Sequence, residues 1–246
     1  MSGGETRPVA IVTAIPEELD AILSRVRDAR RHAGRVYVGR LASVAVVLAA
    51  TGDGALRAAR GAAALLDAHR PRAVVGMGVA GALSDDLCVF DILAASQVRH
   101  GSAEAPPPDE AMLARALSIP GAREATFVTA PGPVVSSAGK ASLGASAAPG
   151  RTSTVDMESA AWASVAAGRR IPYAILRAVS DGPGEDLPGY LSECMDREGS
   201  IRRAAVALRA LGRPFSIPTL LAMRGRVREA SGRLAAFVEH FLGTER

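Results

Sequence analysis

The sequence predicts one α/β domain in three layers, with helices on both faces of a central mixed β-sheet. Three observations carry that expectation. Short runs rich in Val, Ile and Ala alternate along the 246 residues with stretches whose apolar side chains recur every three or four positions. Apolar residues make up 48% and charged residues 22%, a balance that can bury a substantial core. No internal repeat, linker or low-complexity boundary breaks the alternation. The chain is therefore read as one domain over 1–246, with a helical C-terminal segment from about 187 to 246.

Pro8–Ala14 (PVAIVTA) reads as a short buried strand, rich in β-branched residues. Pro16-Glu17-Glu18 opens a helix, with proline in the first turn and acids near the positive end of the dipole. Leu19, Ile22, Leu23 and Val26 continue it at helical spacing. Arg35–Arg40 and Ala42–Ala50 follow as strands, and Thr51-Gly52-Asp53-Gly54 turns sharply into an Ala/Leu helix ending near His69. Arg72–Val79 is another buried strand, closed by Gly78-Val79-Ala80-Gly81, and Val89–Val98 is a further one. A loop over Gly101–Pro108 leads to a helix at Asp109–Leu117 and a strand at Thr126–Ala130. Pro131–Gly150, rich in Pro, Gly, Ser and Ala, reads as a loop with at most a short helix near Lys140. Val155 leads into a helix over Met157–Ala167, and Pro172–Ser180 is the last strand. Helices around Glu198–Leu211 and Ile217–Phe241 complete the chain, with Pro214 and Pro218 at their junction.

Composition narrows the function classes. No apolar run reaches the roughly 18–20 residues that cross a bilayer. The N-terminal MSGGETRP lacks the apolar centre of a secretory signal. Cys88 and Cys194 match no metal or redox spacing, which suits free thiols in a reducing cytoplasm. His32, His69, His100 and His240 are scattered without ligand spacing, so neither a metal nor an organic cofactor is expected. The net charge is +4, and the segment from Tyr190 to Arg246 carries ten Arg against six acidic residues. That excess reads first as a solvated helical surface, and second as a basic face for peripheral contact with anionic lipid. Aromatic residues, at 4%, are too scarce for a base-stacking platform, so no nucleic-acid partner is expected.

In sheets of this kind functional groups collect beyond strand ends. Acidic residues stand at three such places: Glu18 after the first strand, Asp156 and Glu158 around Met157, and Asp181 at the end of the last strand. Each also has a plain structural reading. Glu18 serves a helix start equally well, Asp156 and Glu158 suit a helix cap and dipole, and Asp181 before Gly182 is ordinary turn chemistry.

Their joint order carries more. Thr13-Ala14-Ile15-Pro16-Glu17-Glu18, Thr51-Gly52-Asp53-Gly54, Gly78-Val79-Ala80-Gly81-Ala82-Leu83 and Val89-Phe90-Asp91-Ile92 precede Val155-Asp156-Met157-Glu158-Ser159-Ala160 and Arg177-Ala178-Val179-Ser180-Asp181. From about Val9 to Asp181 the chain resembles the nucleoside phosphorylase and nucleosidase superfamily, especially methylthioadenosine/S-adenosylhomocysteine nucleosidases. The resemblance implies that Glu18 activates the hydrolytic water and that Glu158 accepts hydrogen bonds from ribose hydroxyls, with Met157 against the sugar. It implies that Asp181, oriented by Ser180, protonates or hydrogen-bonds the leaving purine at N7. Val134 and Val135 are expected to line the base pocket. It also implies a homodimer or larger homo-oligomer.

The chemistry fits such residues. Breaking a C–N glycosidic bond builds positive charge on the sugar and negative charge on the base, so one carboxyl must meet the base while an ionised one handles water. An apolar pocket, with Ala174–Val179 beside it, would keep Asp181 protonated. Phosphorolysis would need several donors or cations. Many phosphorylases of this superfamily carry an Arg and a Ser or Thr where this sequence has Gly76 and Val79, and Glu18 stands where a further Arg is expected. Hydrolysis with water as acceptor is therefore favoured, phosphorolysis being the alternative and an inactive nucleoside-binding protein a third reading. Val79 also departs from the Ser usual in the nucleosidases. Beyond Asp181 the chain is similar to the hopanoid-associated branch, which makes adenosylhopane a candidate substrate, while Val12-Thr13-Ala14-Ile15-Pro16 is similar to the opening of futalosine hydrolases. Leu220, Leu221, Met223 and Val227 suit an apolar pocket mouth and equally a packed helix face.

Overall fold

The computed structural model describes residues 7–196 and 198–244. The polar N-terminus lies, in its first six residues, outside the described residues. The chain opens with β1 (Val9–Thr13), α1 (Pro16–Leu23), β2 (Arg27–Ala33), β3 (Val36–Leu41), β4 (Val44–Ala50) and α2 (Ala55–His69). It continues with β5 (Ala73–Ala82), β6 (Ile92–His100), β7 (Ala103–Glu104), α3 (Glu110–Leu117), β8 (Ala122–Thr129) and α4 (Ser137–Ala147). It closes with β9 (Ser153–Asp156), α5 (Ser159–Gly168), β10 (Tyr173–Asp181), α6 (Tyr190–Glu193), α7 (Arg203–Leu211), a 3₁₀ turn at Pro214–Ser216 and α8 (Ile217–Gly243).

The three-layer α/β/α arrangement is as expected. Leu19 and Ile22 of α1, Met112 and Ala116 of α3, and Leu234, Val238 and Phe241 of α8 pack on one face of the mixed sheet. Ala58, Ala62 and Leu65 of α2 and Trp162, Ala163 and Ala166 of α5 pack on the other. Strands buried on both faces must be apolar along their whole length, and VAIVT of β1 and YAILRAV of β10 are nearly so.

The centre of the sheet positions the site. β5 runs parallel to β1 through Gly76 and parallel to β10 through Gly81, while its last residues, Gly81 and Ala82, pair antiparallel with β9. β10 also pairs with β6, which leads through β8 to β9 and so back to β5. The sheet thus curls upon itself, a closure that strand patterning does not reveal. β1 stops pairing at Gly76 and β9 begins only at Gly81, so one edge of β5 between them faces no strand among the described residues. Backbone donors there must find other partners.

Three segments differ most from expectation, and the loop expected over Gly101–Pro108 contains the two-residue strand β7. The first helix stops at Leu23 rather than continuing through Val26, and the exposed RDARRHA of β2 follows as an edge strand. It has no apolar alternation to announce it, and its charges protect the edge from further pairing. Pro131–Gly150 contains an eleven-residue helix, α4, capped by Ser136, whose hydroxyl accepts the Gly139 N–H. A Cβ on Gly144 would stand 3.2 Å from the Leu83 carbonyl oxygen, so small residues permit packing that amphipathic patterning misses. The helix expected from Glu198 starts only at Arg203, because Asp196 accepts the Glu198 and Ser200 N–H groups in a tight turn.

Candidate active site

Glu18 reaches the open edge of β5. Its Oε2 accepts the N–H groups of Ala14 (2.8 Å) and Ile15 (3.1 Å), and its Oε1 accepts that of Val79 (3.0 Å). The side chain thus closes the start of α1 and satisfies the strand-edge donor together. Burial pushes its carboxyl up from the ordinary range, against the pull of the Arg177 guanidinium and those three N–H groups.

Arg177 on β10 is buried, donates from Nε to Asp156 Oδ2 (3.0 Å) and from Nη2 to Ser159 Oγ (3.0 Å), and lies over the Trp162 ring. Its Nη1 is buried without a hydrogen-bond partner among the described residues. A Cβ on Gly78 would stand 2.7 Å from Glu18 Oε1 and 2.8 Å from Arg177 Nη1. The absent side chain is therefore what lets carboxylate and guanidinium converge.

Asp181 occupies the matching place three residues along, where a Cβ on Gly81 would stand 2.8 Å from its Oδ2. Oδ1 accepts from Ser180 Oγ at 2.6 Å, and Oδ2 receives the Lys140 ammonium at 2.5 Å. Lys140, the only lysine of the chain, is fully buried and also donates to the carbonyls of Gly182 (2.7 Å) and Glu185 (3.0 Å). Asp181 therefore meets a buried ammonium as well as the apolar residues of its own strand.

Asp156 takes the capping part. Its Oδ1 accepts the N–H groups of Glu158 (3.1 Å) and Ser159 (3.0 Å) and the Thr129 hydroxyl (3.1 Å), and its Oδ2 accepts the Ser159 hydroxyl. The helix starts at Ser159 rather than Met157, leaving Met157 and Glu158 on the turn before it. Glu158 Oε1 accepts the Gly54 N–H at 2.8 Å. Burial, followed by the neighbouring Asp156 charge, pushes its carboxyl up to about 8.

These groups border one cavity of about 300 Å³, within the usual range for small-molecule sites. Glu18, Val79, Val134, Met157, Glu158, Ser180 and Asp181 all line it. Val135 does not: its carbonyl instead accepts the Leu187 N–H at 2.7 Å, fastening the segment that carries Leu187 into the cavity wall. Ile15, Leu191, Ile201 and Met223 make the wall largely apolar, and Arg203, paired with Glu17, sits among them. Leu220, Leu221 and Val227, read as a possible pocket mouth, stay outside. Asp53 lines the cavity and holds the Ser200 hydroxyl (2.6 Å) and the Ile201 N–H (2.7 Å), so the Gly52–Gly54 turn ties down the C-terminal segment.

Nothing in the local sequence marks Lys140 or Arg177 as part of the site, although a single lysine in an arginine-rich chain calls for a reason.

Residues 8–215 match the family model of the phosphorylase superfamily. Over 102 residues, 40% of this chain and 43% of the relative, the sequence is 39% identical to the 5′-methylthioadenosine/S-adenosylhomocysteine nucleosidase of Chromohalobacter salexigens. The chain thus covers less than half the length of that curated relative. A nucleosidase of the same name from Bacillus thuringiensis is 29% identical over 77% of this chain and 92% of its own. Among solved structures, the S. pneumoniae 5′-methylthioadenosine/S-adenosylhomocysteine nucleosidase with a transition-state inhibitor superposes with a TM-score of 0.75, at 19% identity over 97% of this chain and 100% of that one. A futalosine hydrolase mutant of Helicobacter pylori gives 0.74, at 17% identity over 96% and 98%.

Proposed function

Since the chain belongs to the phosphorylase superfamily, we propose that it is a purine nucleosidase, hydrolysing the N-glycosidic bond of an adenosyl-type nucleoside and releasing the base. One observation carries the choice of water over phosphate: a buried carboxylate, Glu18, occupies the open edge of β5 beside Arg177 Nη1. A phosphate there would meet that charge directly. Position 76 has no space for a cationic side chain, since a Cβ on Gly76 would already lie 2.7 Å from Ile175 and 2.8 Å from Trp162. The Gly54 N–H, a possible phosphate donor, is engaged by Glu158.

In this reading the ribose lies against Met157 with its hydroxyls at Glu158, and the base reaches Val134 and Asp181. Glu18 takes a proton from a water molecule as the water oxygen bonds to the anomeric carbon. The electrons of the breaking C–N bond leave with the base, which receives a proton at N7 through Asp181. Lys140 holds that carboxyl and carries protons one hydrogen bond away. Glu18, Glu158 and Asp181 are held in place by hydrogen bonds before substrate arrives, which favours an oxocarbenium-like transition state.

Relatives named for 5′-methylthioadenosine and S-adenosylhomocysteine direct the choice to adenosyl nucleosides. The apolar wall of Ile15, Leu191, Ile201 and Met223 suits a hydrocarbon-bearing substituent, and adenosylhopane is a candidate of that kind. The reading takes 1–246 as one domain whose helical segment completes the pocket, working in the cytoplasm as a homodimer or larger oligomer. A lipophilic nucleoside must also be met at a surface, for which the basic C-terminal segment is suited. Among the described residues no helix is long and apolar enough to cross a membrane.

The test is base release from adenosyl nucleosides with and without phosphate. Adenine and free sugar are expected without phosphate. Release only with phosphate, yielding a sugar 1-phosphate, would assign a phosphorylase, and tight binding without release would assign a binding protein.

Glu158→Gln tests the ribose contact separately. Above pH 8, where Glu158 is ionised, a hydrogen bond to a charged group contributes about 1.5–3 kcal/mol, so kcat/KM for ribonucleosides measured there is expected to fall roughly ten- to hundredfold. The 2′-deoxy analogue should lose far less, narrowing discrimination between the two sugars. An unchanged ribose-to-deoxyribose ratio would remove Glu158 from that role.

A further inference from the structure

The junction of α7 and α8 carries a surface that the proposed reaction does not use. α8 buries Ala230, Leu234, Val238, Phe241 and Leu242 against the sheet, but none of its residues before Ala230 is buried. Its first half therefore projects beyond the core. Phe215, just ahead of it, is 97% exposed, and Leu208, Leu211 and Leu221 are between 62% and 74% exposed. Burial of such side chains is the ordinary outcome of folding, so their concentration within fourteen residues requires a partner.

The same stretch is strongly basic. From Ile201 to Arg228 the sequence has seven arginines and no acidic residue. Arg203, Arg209 and Arg226 pair with Glu17, Glu193 and Glu185 from elsewhere. Arg202 and Arg213 make no salt bridge among the described residues, and Arg213 lies over the Tyr190 ring between the exposed Leu211 and Phe215 in sequence, while Arg224 and Arg228 border a polar hollow with Glu17 and Asp20 of α1.

We propose that this apolar, arginine-bearing face docks on an anionic lipid bilayer. The two features answer the two halves of such a surface: Phe215 and the leucines enter the acyl boundary while the guanidinium groups meet phosphate headgroups. Stable peripheral binding takes both signals, and both are present within one helical corner. A second copy seated symmetrically on the same face would oppose arginines to arginines, which charge complementarity disfavours. A nucleic acid would answer the cations and leave Leu208, Leu211 and Leu221 in water.

Docking here has a consequence for the pocket. Arg203 of α7 and Met223 of α8 line the cavity from the elements that carry the exposed face, with Ile201 just ahead of α7. Its mouth then lies beside the lipid interface, where a nucleoside with a hydrocarbon 5′ substituent would be found. That consequence rests on the proposed nucleosidase reading, whereas the docking itself does not.

Flotation of the full chain with phosphatidylcholine vesicles, with and without phosphatidylglycerol, tests the docking. Binding is expected only with phosphatidylglycerol and should weaken as salt is raised. The double variant Leu211→Ser/Phe215→Ser should bind at least about tenfold more weakly, as expected from two apolar side chains lost from the interface. Its turnover of a water-soluble adenosyl nucleoside should match wild type, because neither residue lines the pocket. Wild type that fails to float, or a variant that floats equally well, overturns the docking. A variant that loses a self-associated species instead assigns the face to a second copy. Base release from a soluble nucleoside is read without vesicles, so failure of the nucleosidase reading is seen separately.

Discussion

Asp181→Asn is expected to lower base release by about 10²–10⁴-fold, the range for removing a general acid, while nucleoside binding is partly kept. Asparagine keeps the shape and can still accept from Ser180, but it cannot pass a proton to the base. It also leaves the Lys140 ammonium, buried and 2.5 Å from Oδ2, without its counter-charge. Breaking a buried ion pair from one side costs on the order of 3–5 kcal/mol, so a loss of thermal stability should accompany the loss of turnover. The two effects separate in a double variant. Adding Lys140→Met removes the stranded charge and should recover part of the stability and none of the activity. Wild-type turnover in Asp181→Asn would take Asp181 out of the mechanism, and recovery of turnover in the double variant would show that the single change had only damaged the fold.

Lys140 illustrates what the sequence could and could not express. Strands such as VAIVT and YAILRAV are legible because burial on both faces demands continuous apolar residues. The carboxylates at strand ends are legible because their order is retained along the chain. Contacts between distant segments leave no comparable trace. Lys140 meets Asp181 41 residues later, on a helix built from Ser, Gly and Ala with no amphipathic stripe. Arg177 reads as an interruption of an apolar strand until Asp156, Ser159 and Trp162 are seen around it. Val134 and Val135 are equivalent in sequence, and only the folded cavity, which Val134 lines and Val135 does not, separates them. The turn at Asp196 is likewise fixed by Arg57 and the Ser200 N–H, partners that helical spacing cannot anticipate.

Glu18→Gln should reduce turnover by about 10²–10⁴-fold with little change in nucleoside affinity, because the sugar and base contacts lie on other residues. The carboxylate accepts three backbone N–H groups, whereas the amide nitrogen of glutamine presents donors to one side of that cradle. Arg177 Nη1 at the same time loses the anion beside it. The pH profile separates water activation from simple damage. Only ionised Glu18 can take a proton from water, and burial raises its carboxyl above the ordinary value of 4.5. The wild-type rate should therefore climb with pH along a limb lying above that value, and the residual rate of Glu18→Gln should lack the limb.

Stability should change in the opposite sense with pH. Glu18, raised by burial, and Glu158, raised to about 8, hold protons in the fold that the unfolded chain releases. Wild type should thus lose stability as pH rises from the ordinary carboxylate range towards 8, with the greatest stability below it as far as these two groups decide. Removing one of them makes the fall shallower. Melting temperatures of wild type and Glu18→Gln across that interval would show it, and parallel curves would mean that Glu18 carries no raised proton. A flat wild-type rate profile over the same interval would remove Glu18 as the base that activates water.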